Sequence, residues 1–455
     1  MWNKVAPRVI RPYNLGCFLF FMEGDFMRIL INDLEIDKAT CISGLVEKVR
    51  DTKYMVFVVL KDVSGHIQVS IEKSQMPELA SKAALVTVGS FVSFNGKKIL
   101  SEYVKDGGCE FIPTDMEVLS EASVSPIEDN SSVDTKMDYR WIDLRSEKNS
   151  LIFKIQSFMV KTMREFLYDN NFMEIHTPKL IGTASESGSE VFEVKYFDRF
   201  AYLAQSPQFY KQMAMASGMD RIFEVGPVFR AENSNTNRHA TEFTSFDLEF
   251  SYIDSYKDVM LMEQQLLTYT LEKVKDKFGE DIERVFGKEV VVPKGNFPVI
   301  KLNDLYKELH ERYGYDIPTS DVGDLNSETE ALAYKYAMEE FGSEFIFVTD
   351  YSATKRAFYH MRDENGVPLG YDLIWRGTEI TTGAQREHRY DILKEQALEK
   401  GLNDDVKFYL EFFKYGCPPH GGFAIGIDRL TMLLLGLPHL RDAMFIYRSP
   451  NRLNP

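Results

Sequence analysis

The sequence predicts an α+β protein in two parts: a small N-terminal β-barrel, then a larger domain in which helices flank an antiparallel sheet. Three observations predict it. Residues 29–119 alternate short Val-, Ile- and Phe-rich runs with Gly44, Gly65, Gly89 and Gly96, the pattern of short strands joined by tight turns. Residues 151–170 carry apolar side chains at helical spacing. The chain beyond mixes strands and helices in an order that suits an antiparallel sheet better than a doubly wound one. At 455 residues with 44% apolar content, the chain exceeds one ordinary core, so two or three cooperating domains are expected.

Residues 1–26 are expected to be an N-terminal extension, with Met27 as the natural start. Arg8 and Arg11 precede the apolar stretch Cys17–Met22, but no small-residue cleavage site follows, which argues against a signal peptide. Within 27–119 the run Tyr54–Leu60, the turn Lys61–Gly65 and the run His66–Ile71 read as strand, turn, strand, and a five-stranded barrel of the OB type is the natural architecture. Residues 120–140 begin with a stretch rich in Ser, Glu, Asp and Val and are expected to be a linker. The larger domain is expected over 141–455. It opens with Ile152, Ile155, Phe158, Met159, Met163, Phe166 and Leu167 on one helical face, followed by an extended Phe172–Ile175 leading to Thr177-Pro178. Further helices are expected near 256–278 and 328–340.

The net charge of −16 argues against a general nucleic-acid coat, which neutralises phosphates with surplus Lys and Arg. Residues 28–120, however, hold 11 Lys/Arg against 13 Asp/Glu, a balance of −2, so a nucleic acid can still dock there. Cys17, Cys41, Cys109 and Cys417 show no C-x-x-C spacing, which fits reduced thiols in a cytoplasm and excludes a cysteine zinc site. No apolar run reaches the ~18 residues needed to span a bilayer, so no membrane partner is expected.

Three constellations carry chemistry. Phe229-Arg230-Ala231-Glu232, a polar loop, and Arg238-His239-Ala240-Thr241-Glu242-Phe243 read as a hairpin that gathers cations and an aromatic ring over one cleft. Arg chelates phosphate and Phe stacks on a base, so a nucleoside triphosphate suits it. Gly421-Gly422-Phe423-Ala424-Ile425-Gly426-Ile427-Asp428-Arg429 reads as a glycine-bearing strand feeding a helix, with Arg429 able to reach a phosphate or cover a purine. In Tyr371–Arg386, Asp372 and Glu379 are two carboxylates able to share Mg²⁺ with triphosphate oxygens. Each alone also fits a charged surface hairpin, a packing device or solvated strand-edge charges.

In this order, with Thr177-Pro178 upstream, the three resemble the motifs of the class II aminoacyl-tRNA synthetases over nearly the whole of 29–455. A barrel N-terminal to such a domain resembles the subgroup that charges Asp, Asn or Lys. The resemblance implies ATP-dependent adenylate formation with Mg²⁺, tRNA as partner and a homodimer built on the first motif. It further implies that Arg230 neutralises the α-phosphate and the amino-acid carboxylate, that Glu232 accepts from the adenine amino group, that Phe243 and Arg429 sandwich the purine, and that Arg238 and His239 hold the outer phosphates. Ala231, Glu379, Gly426, Ile427 and Asp428 complete the implied ATP set, Arg230 and Arg429 being the catalytic pair, with Asp372, Glu379 and Thr382 on the metal. No side chain need act as a nucleophile; positioning and charge neutralisation suffice. Asp428 stands where the family more often has Glu, and Ile446-Tyr447 is unusual.

Choice of amino acid rests on Gln205–Gln212 and Arg386. A buried Lys211 pairs with a carboxylate, and an amide would leave it unpaired. The resemblance is thus to aspartyl enzymes of the compact archaeal and eukaryotic type, Lys211 and Arg386 forming two arms of one clamp, with Glu186 on the substrate ammonium group and Gln208, Arg230 and Thr382 completing the L-aspartate pocket. Ser187 stands where relatives carry glycine. In the barrel, Phe57 and Gln68 are expected to face the same way, to stack a splayed base and read its edge; the resemblance adds Glu110 as a third anticodon residue, and Lys48, Arg50 and Lys53 are candidate phosphate contacts. A barrel-filling Phe57 is the alternative. The expected acceptor is tRNA(Asp), with tRNA(Asn) left open. Competing readings are an asparaginyl enzyme or an asparagine synthetase of this family, against which Lys211 with Arg386 speaks, and a noncatalytic RNA-binding paralogue, against which Arg230, Glu232, Glu379 and Arg429 speak.

Overall fold

The computed structural model describes residues 28–104, 107–182, 191–233, 236–402 and 406–455. The chain divides into two compact units, Met1–Ser131 and Ser132–Pro455. The expected extension over 1–26 lies outside the described residues.

The first unit is a closed barrel. β1 (Ala39–Asp51), β2 (Met55–Lys61) and β3 (His66–Glu72) form a meander, α1 (Pro77–Ala84) follows, and β4 (Phe91–Leu100) and β5 (Cys109–Ser120) close it in the order β1-β2-β3-β5-β4. Side chains alternate with the pleat: Val56, Val58 and Leu60 are sealed inside with Ile42, Val46, Phe94 and Phe111, while Phe57 and Val59 stay partly exposed. The β2–β3 turn is fixed by Asp62, whose carboxylate accepts from the backbone N–H groups of Ile31, Ser64 and Gly65.

The second unit opens with α2 (Val133–Asp138), α3 (Arg140–Asp143) and α4 (Glu147–Asp169). Thus the stretch expected to be a linker holds the end of β5, helix α2 and the start of α3. Arg140, 2% exposed, explains why: it donates to the carbonyls of Met444 and Phe445 at 2.9 and 3.3 Å, tying these helices to the C-terminal segment. Next come β6 (Met173–Glu174), β7 (Leu180–Ile181), β8 (Glu193–Tyr196), β9 (Arg199–Leu203), α5 (Gln208–Ala216), β10 (Arg221–Phe229), β11 (Glu242–Ser251), α6 (Tyr256–Phe286) and β12 (Val299–Lys301). The chain ends with α7 (Leu302–Tyr313), α8 (Ser327–Phe341), β13 (Phe345–Thr349), β14 (Gly370–Trp375), β15 (Thr378–Arg386), α9 (Tyr390–Glu399), α10 (Lys407–Lys414), β16 (His420–Gly426) and α11 (Ile427–Leu435).

An eight-stranded sheet, β12-β13-β14-β15-β16-β11-β10-β6, organises this unit. Its six middle strands are antiparallel, and β12 and β6 add one parallel strand at each edge. Residues of period two divide its faces. On β11, Phe246, Leu248 and Phe250 join the main core with Ile155, Met159 and Met163 of α4 and Leu266 and Leu267 of α6. Ser245, Asp247, Glu249 and Ser251, also buried, project from the opposite face and are the foundation of the site.

Candidate active site and barrel face

The open end of the site is built where β10 and β11 separate. Their last pair is Phe229 with Glu242, and the chain between them lines a cavity of about 200 Å³ with Arg230, Glu232, Arg238, His239 and Phe243. Glu379, Thr382, Gly426, Asp428 and Arg429 line it from β15, β16 and α11. Glu232 lies between Arg230 at 3.8 Å and His239 at 3.7 Å. The Arg230 guanidinium stands 5.6 Å from the centre of the Phe243 ring. Arg429 donates to the Glu379 carbonyl at 2.7 Å, which aims its stem along the cavity wall. Arg238 is held at 2.9 Å by Glu330 of α8, a carboxylate that also accepts from Glu379 N at 3.1 Å. The His239 pKa is lowered, chiefly by burial, with Arg429, Arg230 and Arg238 acting in the same direction and Glu232 opposing. It therefore offers a neutral ring rather than another cation. Of the remaining residues in the expected ATP set, Ile427 is 2% exposed and packs in the main core, and Ala231 is not among the residues that line this cavity.

Asp428 takes a bracing position: it accepts from Thr244 N at 3.1 Å and Gln156 Nε2 at 3.2 Å, and burial raises its pKa to about 6.

The carboxylate pair depends on a strand irregularity. Thr382 pairs with Asp372 and Thr381 with Leu373, but Ile374 pairs with Glu379, so Ile380 is an extra residue on β15. In a regular strand residues three apart face opposite ways; the bulge turns Glu379 and Thr382 to the same side. The Thr382 hydroxyl sits 2.9 Å from Asp372 Oδ1 and 3.1 Å from Glu379 Oε1. Burial and the neighbouring Asp372 raise the Glu379 pKa to about 7, as expected where two carboxylates crowd without a full counter-charge. Arg356, at 2.5 Å from Asp372 Oδ2, supplies part of that charge. Two carboxylates and a hydroxyl suit Mg²⁺, which takes one or two protein carboxylates and fills its shell with phosphate and water oxygens. Among the described residues no cluster of three His, Cys, Asp or Glu forms a metal cage.

Deeper along the same face lies the cation pair. Cross-strand register sets successive rows: Gly426 with Ser245; Thr382, Ala424 and Asp247; then Ala384, Gly422 and Glu249. Lys211 of α5, 1% exposed, meets Asp247 at 3.0 Å and Glu249 at 3.4 Å. Arg386 approaches the other oxygen of Glu249 at 2.9 Å. Its Nη2 donates to Gln208 Oε1 at 3.3 Å and the Gly422 carbonyl at 3.0 Å, and its Nη1 to His360 Nε2 at 3.3 Å. Burial alone would raise the Glu249 pKa, but Arg386 and Lys211 overcome it and hold the group below the usual range. The two cations thus converge on one carboxylate of the chain itself, Glu249. They do not line the open cavity; Ser245, Thr382 and Ala424 do. Gly422 makes the convergence possible, since a Cβ there would come within 2.5 Å of Glu249 Oε2 and 2.1 Å of the Leu248 carbonyl. Glu186, expected on the substrate ammonium group, lies outside the described residues, as does Ser187.

On the barrel, Phe57 pairs across with Ser70, and Val59 with Gln68, so Phe57 and Gln68 share the outward face and the barrel-filling alternative fails. The Arg50 guanidinium covers the Phe57 ring at 4.4 Å. Gln68 donates to Ser70 at 3.1 Å, and Ser70 in turn donates to Glu110. Phe57, Gln68 and Glu110 therefore belong to one surface, joined by a serine that the sequence reading did not single out.

Sequence reasoning also missed Asp247, Glu249, Glu330, Arg356 and His360. A signal existed for the first two: charges at alternate positions in the aromatic strand Phe243–Phe250 must sit on one face, and that face is buried. Nothing local marks the others, which arrive from distant elements.

Comparison with known proteins follows these two regions. A family model described as tRNA synthetases class II (D, K and N) matches residues 132–448, and one described as OB-fold nucleic acid binding domain matches 40–119. The aspartate–tRNA(Asp/Asn) ligase of Aeropyrum pernix is 38% identical over 442 residues, 93% of this chain and 99% of that one. The aspartate–tRNA(Asp) ligase of Pyrococcus abyssi is 39% identical over 433 residues, 92% of this chain and 96% of that one. Among solved structures, the asparaginyl-tRNA synthetase of Pyrococcus horikoshii with asparaginyl-adenylate aligns with a TM-score of 0.87 at 30% identity, covering 95% of this chain and 100% of that one. The aspartyl-tRNA synthetase of Entamoeba histolytica aligns at 0.81 and 30%, covering 94% and 91%.

Proposed function

The chain belongs to the class II tRNA synthetases for aspartate, lysine and asparagine, and from that premise we propose that it attaches L-aspartate to tRNA(Asp) through an aspartyl-adenylate formed from ATP. One observation carries the choice of amino acid: Lys211 and Arg386 reach the same buried carboxylate, Glu249, from two sides. An ammonium has three N–H groups and a guanidinium five. Lys211 engages two carboxylates, and Arg386 directs one N–H each to Glu249, His360, Gln208 and the Gly422 carbonyl. Among the described residues one Arg386 N–H, on Nη1, is left over, and Lys211 is held by ion pairs alone, Asp247 Oδ1 having no hydrogen-bond partner. Two converging donors suit a carboxylate, which offers two acceptor oxygens, whereas an amide presents its own NH₂ to one of them. This distinguishes aspartate from asparagine on a fold that both kinds of synthetase share.

The order of the rows fits the reaction. The purine would lie at the Gly426–Ser245 end between Phe243 and Arg429, with Glu232 on its amino group. Arg230 would neutralise the α-phosphate as the aspartate α-carboxylate attacks it and pyrophosphate leaves, and Arg238 and His239 would hold the departing phosphates. Asp372, Glu379 and Thr382 would hold Mg²⁺, which supplies positive charge against the phosphate oxygens. Because the groups are fixed by the sheet before substrate arrives, they stabilise developing charge with little reorganisation. The terminal hydroxyl of tRNA then attacks the aspartyl carbonyl and releases AMP. Phe57, Gln68 and Glu110 would read the anticodon, Phe57 by stacking and the other two by base-edge hydrogen bonds. A homodimer would form through α4 and the edge strand β6, where Tyr168 and Met173 are about half exposed. The scattered thiols favour a cytoplasmic setting.

The test is amino-acid-dependent exchange of pyrophosphate into ATP with Asp, Asn, Glu and Lys, followed by charging of tRNA(Asp) and tRNA(Asn) transcripts. Aspartate alone should support exchange; exchange with asparagine or lysine and not aspartate overturns the reading. The two transcripts decide the acceptor range, for which relatives named for tRNA(Asp) and for tRNA(Asp/Asn) stand at similar identity.

A further inference from the structure

Arg386 can grip a carboxylate only if its guanidinium is held in one plane and one rotation. Glu249 fixes its Nε edge, and Gln208 with the Gly422 carbonyl fixes Nη2. The remaining nitrogen, Nη1, points to His360 Nε2 at 3.3 Å. His360 is not part of the strands that carry the clamp; it comes from the irregular segment between β13 and β14 and is 4% exposed. Its backbone is locked in place, forming a bridge with Arg386 itself and offering its carbonyl to Gln396 of α9 at 3.0 Å. The ring is seated against Gly370, where a Cβ would come within 3.2 Å of Nδ1.

We propose that His360 is a positioning residue for amino-acid selection: as a neutral ring with the proton on Nδ1, it accepts from Arg386 Nη1 and so directs the remaining Nη1 donor at the substrate side chain. This rests on the reading that Arg386 faces the aspartate carboxylate. The tautomer follows from the contact, because Arg386 has no acceptor and Nε2 must therefore present its lone pair. Nδ1 has no hydrogen-bond partner among the described residues, so nothing competes for the other tautomer. Charge acts in the same direction: burial together with Arg386, Arg356 and Lys400, all cationic, keeps the ring neutral. A permanent acceptor suits this position, since a protonated His360 would repel the arginine it orients.

The experiment compares the parent protein with His360→Leu and His360→Gln in pyrophosphate exchange and in thermal melts. His360→Leu should raise KM for aspartate about tenfold or more, the worth of one hydrogen bond to a charged group, leave KM for ATP within twofold, and narrow the preference for aspartate over asparagine. His360→Gln, which restores an oxygen acceptor, should recover most of the loss. Equal changes in the two KM values, or no recovery with Gln, would overturn the proposal, as would a lowered melting temperature with KM for aspartate unmoved. If the parent activates a different amino acid, the functional reading falls by itself, and the role of His360 is then decided on the KM of that amino acid in the same three proteins.

Discussion

Replacing Lys211 with Met tests the selection mechanism most directly. The lysine and its partners are sealed from solvent, with side-chain exposures of 1% for Lys211, 3% for Asp247 and 0% for Glu249. Glu249 keeps Arg386 when the lysine is lost, but among the described residues Asp247 keeps only the Ser245 hydroxyl. An uncompensated buried charge costs roughly 3–5 kcal/mol, so Lys211→Met should melt well below the parent. Substrate loses one charge-assisted hydrogen bond, worth roughly 1.5–3 kcal/mol, or about 10- to 150-fold in kcat/KM for aspartate. The two effects separate in the double variant Lys211→Met/Asp247→Asn, in which a neutral amide replaces the stranded carboxylate and can still accept from Ser245. Its melting temperature should recover most of the loss while exchange with aspartate stays depressed and the ratio of aspartate to asparagine falls. A double variant whose aspartate kcat/KM lies within threefold of the parent would refute the clamp. So would a single variant as stable as the parent, since the lysine would then not be compensating a buried charge.

Two further outcomes follow from other parts of the structure. Glu263 of α6 is fully buried and accepts from the Tyr371 hydroxyl at 2.6 Å; burial raises its pKa from 4.5 to about 8. The folded state therefore binds a proton that the unfolded chain has released: the stability is complete below about 4.5, declines as pH rises, and is lost above about 8. At ~1.4 kcal/mol per tenfold in proton affinity, a rise from 4.5 to about 8 comes to roughly 5 kcal/mol. Glu263→Gln should melt near the parent at pH 5 and clearly above it at pH 8.5; a gap that does not widen with pH would show that Glu263 is ionised in the fold. On the barrel, Phe57→Ala should raise KM for tRNA(Asp) by about 5- to 150-fold, the range of one lost base–aromatic stack of ~1–3 kcal/mol. Pyrophosphate exchange should not change, and an unaltered tRNA KM would remove Phe57 from the anticodon reading.

How much of this was legible in the sequence depends on how far apart the cooperating groups lie. The α4 face was readable because a helix brings every third or fourth residue together, and Ile152, Ile155, Met159 and Met163 are all buried as that spacing requires. Phe57 and Gln68 were readable for the same kind of reason, the two-residue period of a hairpin. The hairpin cations and Arg429 were readable as local chemistry, and in combination as a resemblance.

Local periodicity fails where a strand breaks its period or where the partner comes from elsewhere. Glu379 and Thr382, three residues apart, share a face only because Ile380 is bulged out. Asp372 is met by Arg356, Arg238 by Glu330 and Arg386 by His360, each pair joined by the tertiary fold and not by closeness in sequence. Lys211, expected to be buried, is so, but only the fold shows that it and Arg386 share a four-charge cluster with Asp247 and Glu249 and that neither cation lines the open cavity. The sequence by itself determined which charges must find partners, because a buried charge cannot remain alone. Only the tertiary structure decided which partners those are, because register, bulge and helix docking set distances that spacing along a chain does not contain.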